Sequence, residues 1–381
     1  MVLDDPALHW SHVLSRRSLL ALPMLAACSR KRSTGFSGYA FVANEEGKAV
    51  AAVDLEAFAV ARHIPLDDAP SQVVASAGSP SVFAVTPRSG SVHEIQADRL
   101  SFKRKLQVAS AGAEQTLTAA LSPDDKILYA LSREPRALSA IATDSLKISW
   151  RLQLPEQPVE FAISTDGKHG AVSTASSVRL VDLSARQLSG PLGHGVYGSV
   201  RFLEDSKTLI AADLDRRKLS LYDVASGQLI THLPLSVRPD HLCFNRDGGQ
   251  LFLTGEGMDG VVIVYPYHTP EVAETVLAGH APGALAASGS LLFVASPQSG
   301  DVSILNIPTR KVIGVVQVGS DPGFVVVTPD DQYALVLNRK SGDVAVLRVS
   351  GITPNRYKSA ALFTVIPVGS KPVSAAIRAI S

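Results

Sequence analysis

Cysteine is almost absent from this sequence of 381 residues: Cys28 and Cys243 are the only two. No Cys-x-x-Cys occurs, so neither a c-type haem attachment nor a cysteine zinc site is encoded. G-x-S-x-G, H-E-x-x-H, the P-loop and the dinucleotide-binding glycine fingerprint are missing too, which weighs against the common hydrolase and nucleotide-binding classes. Gly193-His194-Gly195 and Gly255-Glu256-Gly257 are turn glycines and not phosphate cradles, because no helical pattern follows them. Net charge is only +1, so no general field draws in nucleic acid or an anionic membrane. No Pro/Gly/Ser tract or charge run breaks the body of the chain, which argues for one large domain.

What the chain does have is repetition. With 46% apolar residues it is long and apolar enough for a large core, and its 28 Gly and 23 Pro suit a fold with many tight turns. The stretch 291–318 reads as strand, Ser-Gly turn, strand, short loop, strand, and the pattern recurs. Strand-like starts fall at Tyr39, Val82, Leu128, Gly170, Leu209, Leu251, Leu292 and Tyr333, a period of about 42 residues. Between units lies one more strand, commonly opened by Pro and left through Asp-Gly or Asp-Asp, as at Pro158 to Gly167, Pro239 to Gly248 and Pro322 to Asp331. The Asp-Gly pairs predict type I′ hairpins. A single sheet of this size cannot cover both its faces, so the units must stack on copies of themselves. The expected fold is all-β: one β-propeller over 38–381, with eight four-stranded blades, or seven as the alternative.

Register adds a closure. The chain enters in mid-blade at Tyr39, and its last element, Pro372 to Ile380, matches the Pro-opened strand. That strand should complete the first blade from inside, pairing with Tyr39 to Asn44 and burying Val373, Ile377 and Ile380.

The N-terminus reads as an address. Residues 13–30 carry the pair Arg16-Arg17, an apolar stretch from Leu19 to Ala27, then Cys28, the order of an export signal over 1–27. Leu25-Ala26-Ala27-Cys28 looks like a bacterial lipobox, with Cys28 as the lipidation site and 28–37 as linker. Ser15 to Leu20 resembles a twin-arginine signal, with an ordinary export signal as the alternative. The expected location is the bacterial cell envelope, on the periplasmic or extracellular face. With Cys28 modified, Cys243 has no partner, and in Leu242-Cys243-Phe244 it reads as a small buried hydrophobe.

The repeats, of the form P-x-x-V-x-x-(S/T)-P-D-(G/D)-x-x-(L/Y)-x-V-x-N followed by S-G-x-V-x-(V/I)-(I/L)-(D/N) and T-x-K-V, resemble the YVTN family of β-propellers, related to surface-layer and lactonase-like propellers. The resemblance is most specific from Asp321 through Val349. It implies that the loops leading into each inner strand, and those between the first two strands of each unit, surround the mouth of a central channel. Carried onto this sequence, that puts Gln72, Glu160, His241, Asp321 and Lys371 at the mouth, with Arg238, Asp240, His194, Tyr197 and His280 close by.

Arg238-Pro239-Asp240-His241 would bring a cation, a carboxylate and an imidazole together, a combination suited to a general base or haem ligand, or to an ordinary loop tip. His194, His241 and His280 occupy comparable loops, but no short-range ligand pair supports a metal site. Arg133, Arg136, Arg216 to Lys218 and Arg339-Lys340 form a basic rim, or simply solvated turns. The functional expectation is a monomeric binding or scaffold module for a protein or small ligand, without metal or cofactor, held to a membrane by its lipid anchor and not binding nucleic acid. The alternative is a lactonase-like hydrolase or a cofactor-holding redox propeller.

Overall fold

The computed structural model describes residues 35–113, 115–352 and 361–380. The expected signal peptide, Cys28 and most of the linker lie outside them. Among the described residues there are eight four-stranded antiparallel sheets, so the octad holds and the seven-bladed alternative does not. Numbered in chain order, the blades have their innermost strands at Pro372–Ala379 (blade 1), Gln72–Ala75, Leu117–Leu121, Pro158–Ile163, Tyr197–Phe202, His241–Phe244, Leu285–Ala287 and Pro322–Val327 (blade 8).

Stacking is visible in the cores. Eight apolar clusters each draw on two adjacent blades. One joins Phe41 and Ala43 of blade 1 to Val82 and Ala84 of blade 2, and another joins Leu335 and Leu337 of blade 8 to Ala40 and Val42 of blade 1. Phe41, Phe83, Phe252 and Phe293, each in the second strand of its blade, are fully buried, and such a side chain contributes about 1.5–3 kcal/mol by leaving water.

The ring closes as expected. Pro372–Ala379 lies antiparallel to Gly38–Asn44, with Tyr39 opposite Arg378 and Ala40 opposite Ile377. The burial differs in detail: Val373 and Ile377 are half-buried, and Ile380 is 54% exposed, because the pairing ends at Ala379 and leaves it beyond the sheet.

The residue that ends each blade's second strand is polar and buried in all eight: Asn44, Thr86, Ser132, Thr174, Asp213, Thr254, Ser296 and Asn338. Several of these side chains tie a neighbouring loop to the blade. Asn44 Nδ2 donates to Val368 O at 2.7 Å and Thr254 Oγ1 to Gly283 O at 2.5 Å. A buried carbonyl left without a donor is costly, so this position holds the loops that frame the mouth.

The turns leaving the inner strands correct one expectation. In Ser164-Thr165-Asp166-Gly167 the Gly167 amide donates to Ser164 O at 2.9 Å, and only Gly167 has a positive φ, +71°. A type I′ turn needs positive φ at both central residues, so this is a type I turn closed by a left-handed residue. The Ser164 hydroxyl donates to Asp166 at 2.6 Å, and the same carboxylate accepts the Lys168 amide at 3.0 Å. Ser122 with Asp124 and Thr328 with Asp330 repeat the device. Asp therefore serves as an acceptor inside the turn.

Candidate functional site

Loops running from an outer strand to the next inner strand, and loops between the second and third strands, meet at one end of the ring. Two cavities open there. The first, of about 620 Å³, lies between blades 6 and 7 and is lined by Asp240, His241, Gly255 to Asp259, Ala281 to Gly283 and Pro297. The second, of about 670 Å³, lies between blades 8 and 1 and is lined by Glu46, Asp321, Arg339 to Gly342, Pro367 and Gly369 to Lys371. A smaller cavity of about 260 Å³, with Asp98 and Arg378, sits at the opposite end.

The expected mouth residues divide between these places. Asp240 and His241 line the first cavity, Asp321 and Lys371 the second. Asp321 accepts from Arg339 at 2.6 Å, and Lys371 donates to Glu45 at 3.0 Å. His280 Nδ1 lies 3.0 Å from Asp259 on the rim of the first cavity, and both are exposed. The His194 ring is exposed, while its carbonyl accepts from Arg216.

Three expected residues face elsewhere. Tyr197 is 1% exposed in the core between blades 4 and 5, its hydroxyl 3.3 Å from that of Tyr222. Burial and the neighbouring Tyr222 push its phenol far above the usual range, so it is packing and not a ligand contact. Gln72 staples two inner strands together, donating to Ala119 O at 3.0 Å and accepting from Ala119 N at 2.9 Å. Glu160 pairs with Arg201 and accepts from Ser199 at 2.8 Å, both on the next inner strand. Arg201 was not anticipated; its signal is a lone arginine in Tyr197–Phe202, a channel-side strand that lacks the opening proline.

The Arg238-to-His241 tetrad is rearranged relative to expectation. Asp240 turns to Arg238, which donates to it at 2.7 Å, and accepts the Glu256 amide at 3.1 Å. Arg238 also pairs with Glu256 at 3.4 Å. No hydrogen bond is made by the His241 ring among the described residues, so there is no Asp-His dyad. His241 is an exposed residue lining the first cavity, with its ring partly desolvated by the protein around it. That burial lowers its pKa below the usual 6.5 and the charge of Arg339 lowers it further, against an opposing pull from Asp240. The lowered pKa favours the uncharged imidazole at neutral pH, and neither ring nitrogen is hydrogen-bonded among the described residues.

The expected basic rim is paired only in part: Arg216, Lys218 and Arg339 meet carboxylates, while Arg136, Arg217 and Lys340 make no ion pair among the described residues. Arg339 is held by Asp321, Arg216 by Asp213 at 3.3 Å, and Arg238 by two carboxylates. On blade 4 the Glu156 carboxyl is pushed up by burial. The hydroxyls of Ser176, Thr174 and Ser177 and the Arg179 guanidinium outweigh that and hold it at about 2. Cys243, two residues below His241, is half-buried, its thiol donating to Phe244 O at 3.2 Å and pushed up in pKa by burial. Among the described residues no group of three or more His, Cys, Asp or Glu side chains is placed to hold a metal ion.

No protein-family model matches the chain. A stretch of 159 residues, 40% of the chain, is 26% identical to the seven-bladed β-propeller protein Rv1057 of Mycobacterium tuberculosis, and spans 38% of that relative's length. Among solved structures, dihydro-heme d1 dehydrogenase NirN in complex with DHE overlaps 89% of this chain and 75% of its own, with a TM-score of 0.71 at 13% identity. Hydrazine synthase of Kuenenia stuttgartiensis overlaps 74% of this chain and 96% of its own, with a TM-score of 0.57 at 17% identity. At such identities the likeness is one of fold, and the fold is the β-propeller, here with eight blades.

Proposed function

We propose that this propeller is a binding or scaffold module whose ligand seat is the cavity between blades 6 and 7. The observation that carries this reading is the composition of that wall. Asp240, Glu256 and Asp259 line about 620 Å³ beside His241, whose ring makes no hydrogen bond among the described residues. Arg238 pairs with two of those carboxylates and Arg217 Nη1 stands beside Gly257 of the same wall, so one carboxylate is in excess and favours a ligand or protein segment carrying positive charge. Residues 13–30 support delivery of the module to the cell envelope and anchoring through Cys28. The hydrolase reading loses support, because Asp240 faces Arg238 and leaves His241 without an orienting partner. A thermal-shift panel of polyamines and lysine-rich peptides against dicarboxylates tests the seat. Stabilisation by the cationic set, lost in a Glu256→Gln/Asp259→Asn double variant, supports it; stabilisation by the anionic set alone contradicts it.

A second reading is supported by the NirN likeness and by His241 together: the mouth would hold a tetrapyrrole cofactor, with His241 as the side chain available to ligate its metal. Such a group would supply redox chemistry. Titration with haemin, followed by the Soret band, separates the two. A band shift that disappears in His241→Ala favours the cofactor, and an unshifted band removes it.

A further inference from the structure

Blade 7 contains three oxygens without a hydrogen-bond partner: Ser296 Oγ, Asp301 Oδ1 and Ser303 Oγ. Ser296 and Ser303 are 0% and 1% exposed. Ser296 stands directly across from Asp301, and Ser303 follows Asp301 by two residues, so all three side chains share one face of the sheet. That face is roofed by the backbone of the loop arriving from blade 6. A Cβ placed on Gly279 would lie 2.2 Å from Ser296 Oγ and 3.7 Å from Ser303 Oγ, so the glycine backbone packs closely over the Ser296 hydroxyl with Ser303 nearby.

Blade 8 carries an amide at the corresponding place. There Asn338 stands across from Asp343, Val336 across from Ala345, and a Cβ on Gly319 would lie 2.5 Å from Asn338 Nδ2. The amide nitrogen of Asn338 donates to Asp343 Oδ1 at 2.6 Å and to Val318 O at 3.1 Å. Blade 7 keeps the aspartate and the roofing glycine, shortens the asparagine to Ser296, and replaces the alanine by Ser303. The result is an acceptor without its donor and one extra hydroxyl.

We propose that these three oxygens bind a single buried water, which takes in blade 7 the place of the Asn338 amide nitrogen in blade 8. Water can donate to Asp301 Oδ1 and exchange hydrogen bonds with both hydroxyls, the three partners that a buried water typically has. Because the Gly279 backbone lies over it and runs on into His280 and Ala281, the water also fixes the height of one wall of the mouth.

A monovalent cation would satisfy the same oxygens, so the test has two arms. Crystals of the protein, half of them soaked in rubidium chloride, should show a solvent peak within about 3 Å of all three oxygens and no anomalous rubidium signal. Ser296→Asn should expel that peak and melt at or above the temperature of the unsubstituted protein, while Ser296→Ala should melt below it. A rubidium peak at the site, no peak at all, or an asparagine variant melting below the alanine one would overturn the proposal.

Discussion

Asn44 donates through Nδ2 to Val368 O over 2.7 Å, so a residue of the first strand holds the loop that delivers the last one. The bond is buried and the two residues are 324 positions apart. Asn44→Ala would strand that carbonyl, at a cost of about 1–3 kcal/mol. Removing residues 372–381 should do more, stripping the inner strand from blade 1 and exposing its edge; a lower melting temperature or aggregation is expected, read by calorimetry and light scattering.

The Glu156 carboxyl predicts an acid sensitivity. Its folded pKa, about 2, lies below the ordinary 4.5, so its contribution is complete above 4.5 and is lost as pH falls toward 2. Melting curves should show the unsubstituted protein ahead of Glu156→Gln at neutral pH, the gap closing across that window. A gap independent of pH would contradict the assignment.

His241 should titrate below 6.5, because burial and Arg339 both disfavour its cation. Arg339→Ala should raise its midpoint and Asp240→Asn should lower it further, as followed by the ring protons in an NMR titration. Binding that depends on the neutral ring would fall away as pH drops through that midpoint.

Along the channel wall, Glu160 and Arg201 form a partly exposed pair between blades 4 and 5. A double-mutant cycle with Glu160→Gln and Arg201→Met should return a coupling of about 0.2–1 kcal/mol, reduced by salt. A coupling near zero at low salt would mean that the two side chains are solvated separately.

Much of this fold is legible because its signals are local. Pro322 opening a strand, Asp166-Gly167 marking a turn though not its type, and the match of Pro372 to Ile380 with the other inner strands need no knowledge of distant contacts. The mouth is less legible because it depends on which blade faces which. Tyr197 begins an inner strand as His241 does, yet its ring goes into the core against Tyr222, while His241 lines the cavity at the mouth. Asp240 sits beside His241 in sequence but is claimed by Arg238 and the Glu256 amide. Blade-to-blade pairings such as Glu160 with Arg201 join segments about one repeat apart, and no local pattern names the partner.

Hydrogen exchange followed by mass spectrometry tests the closed ring most directly, since every placement at the mouth depends on it. Peptides covering Pro372–Ala379 and Gly38–Asn44 should exchange together, in the slow phase of the blade cores. Exchange of the C-terminal peptide at the rate of an open loop, with Gly38–Asn44 still protected, would show that the ring is not closed by its last strand.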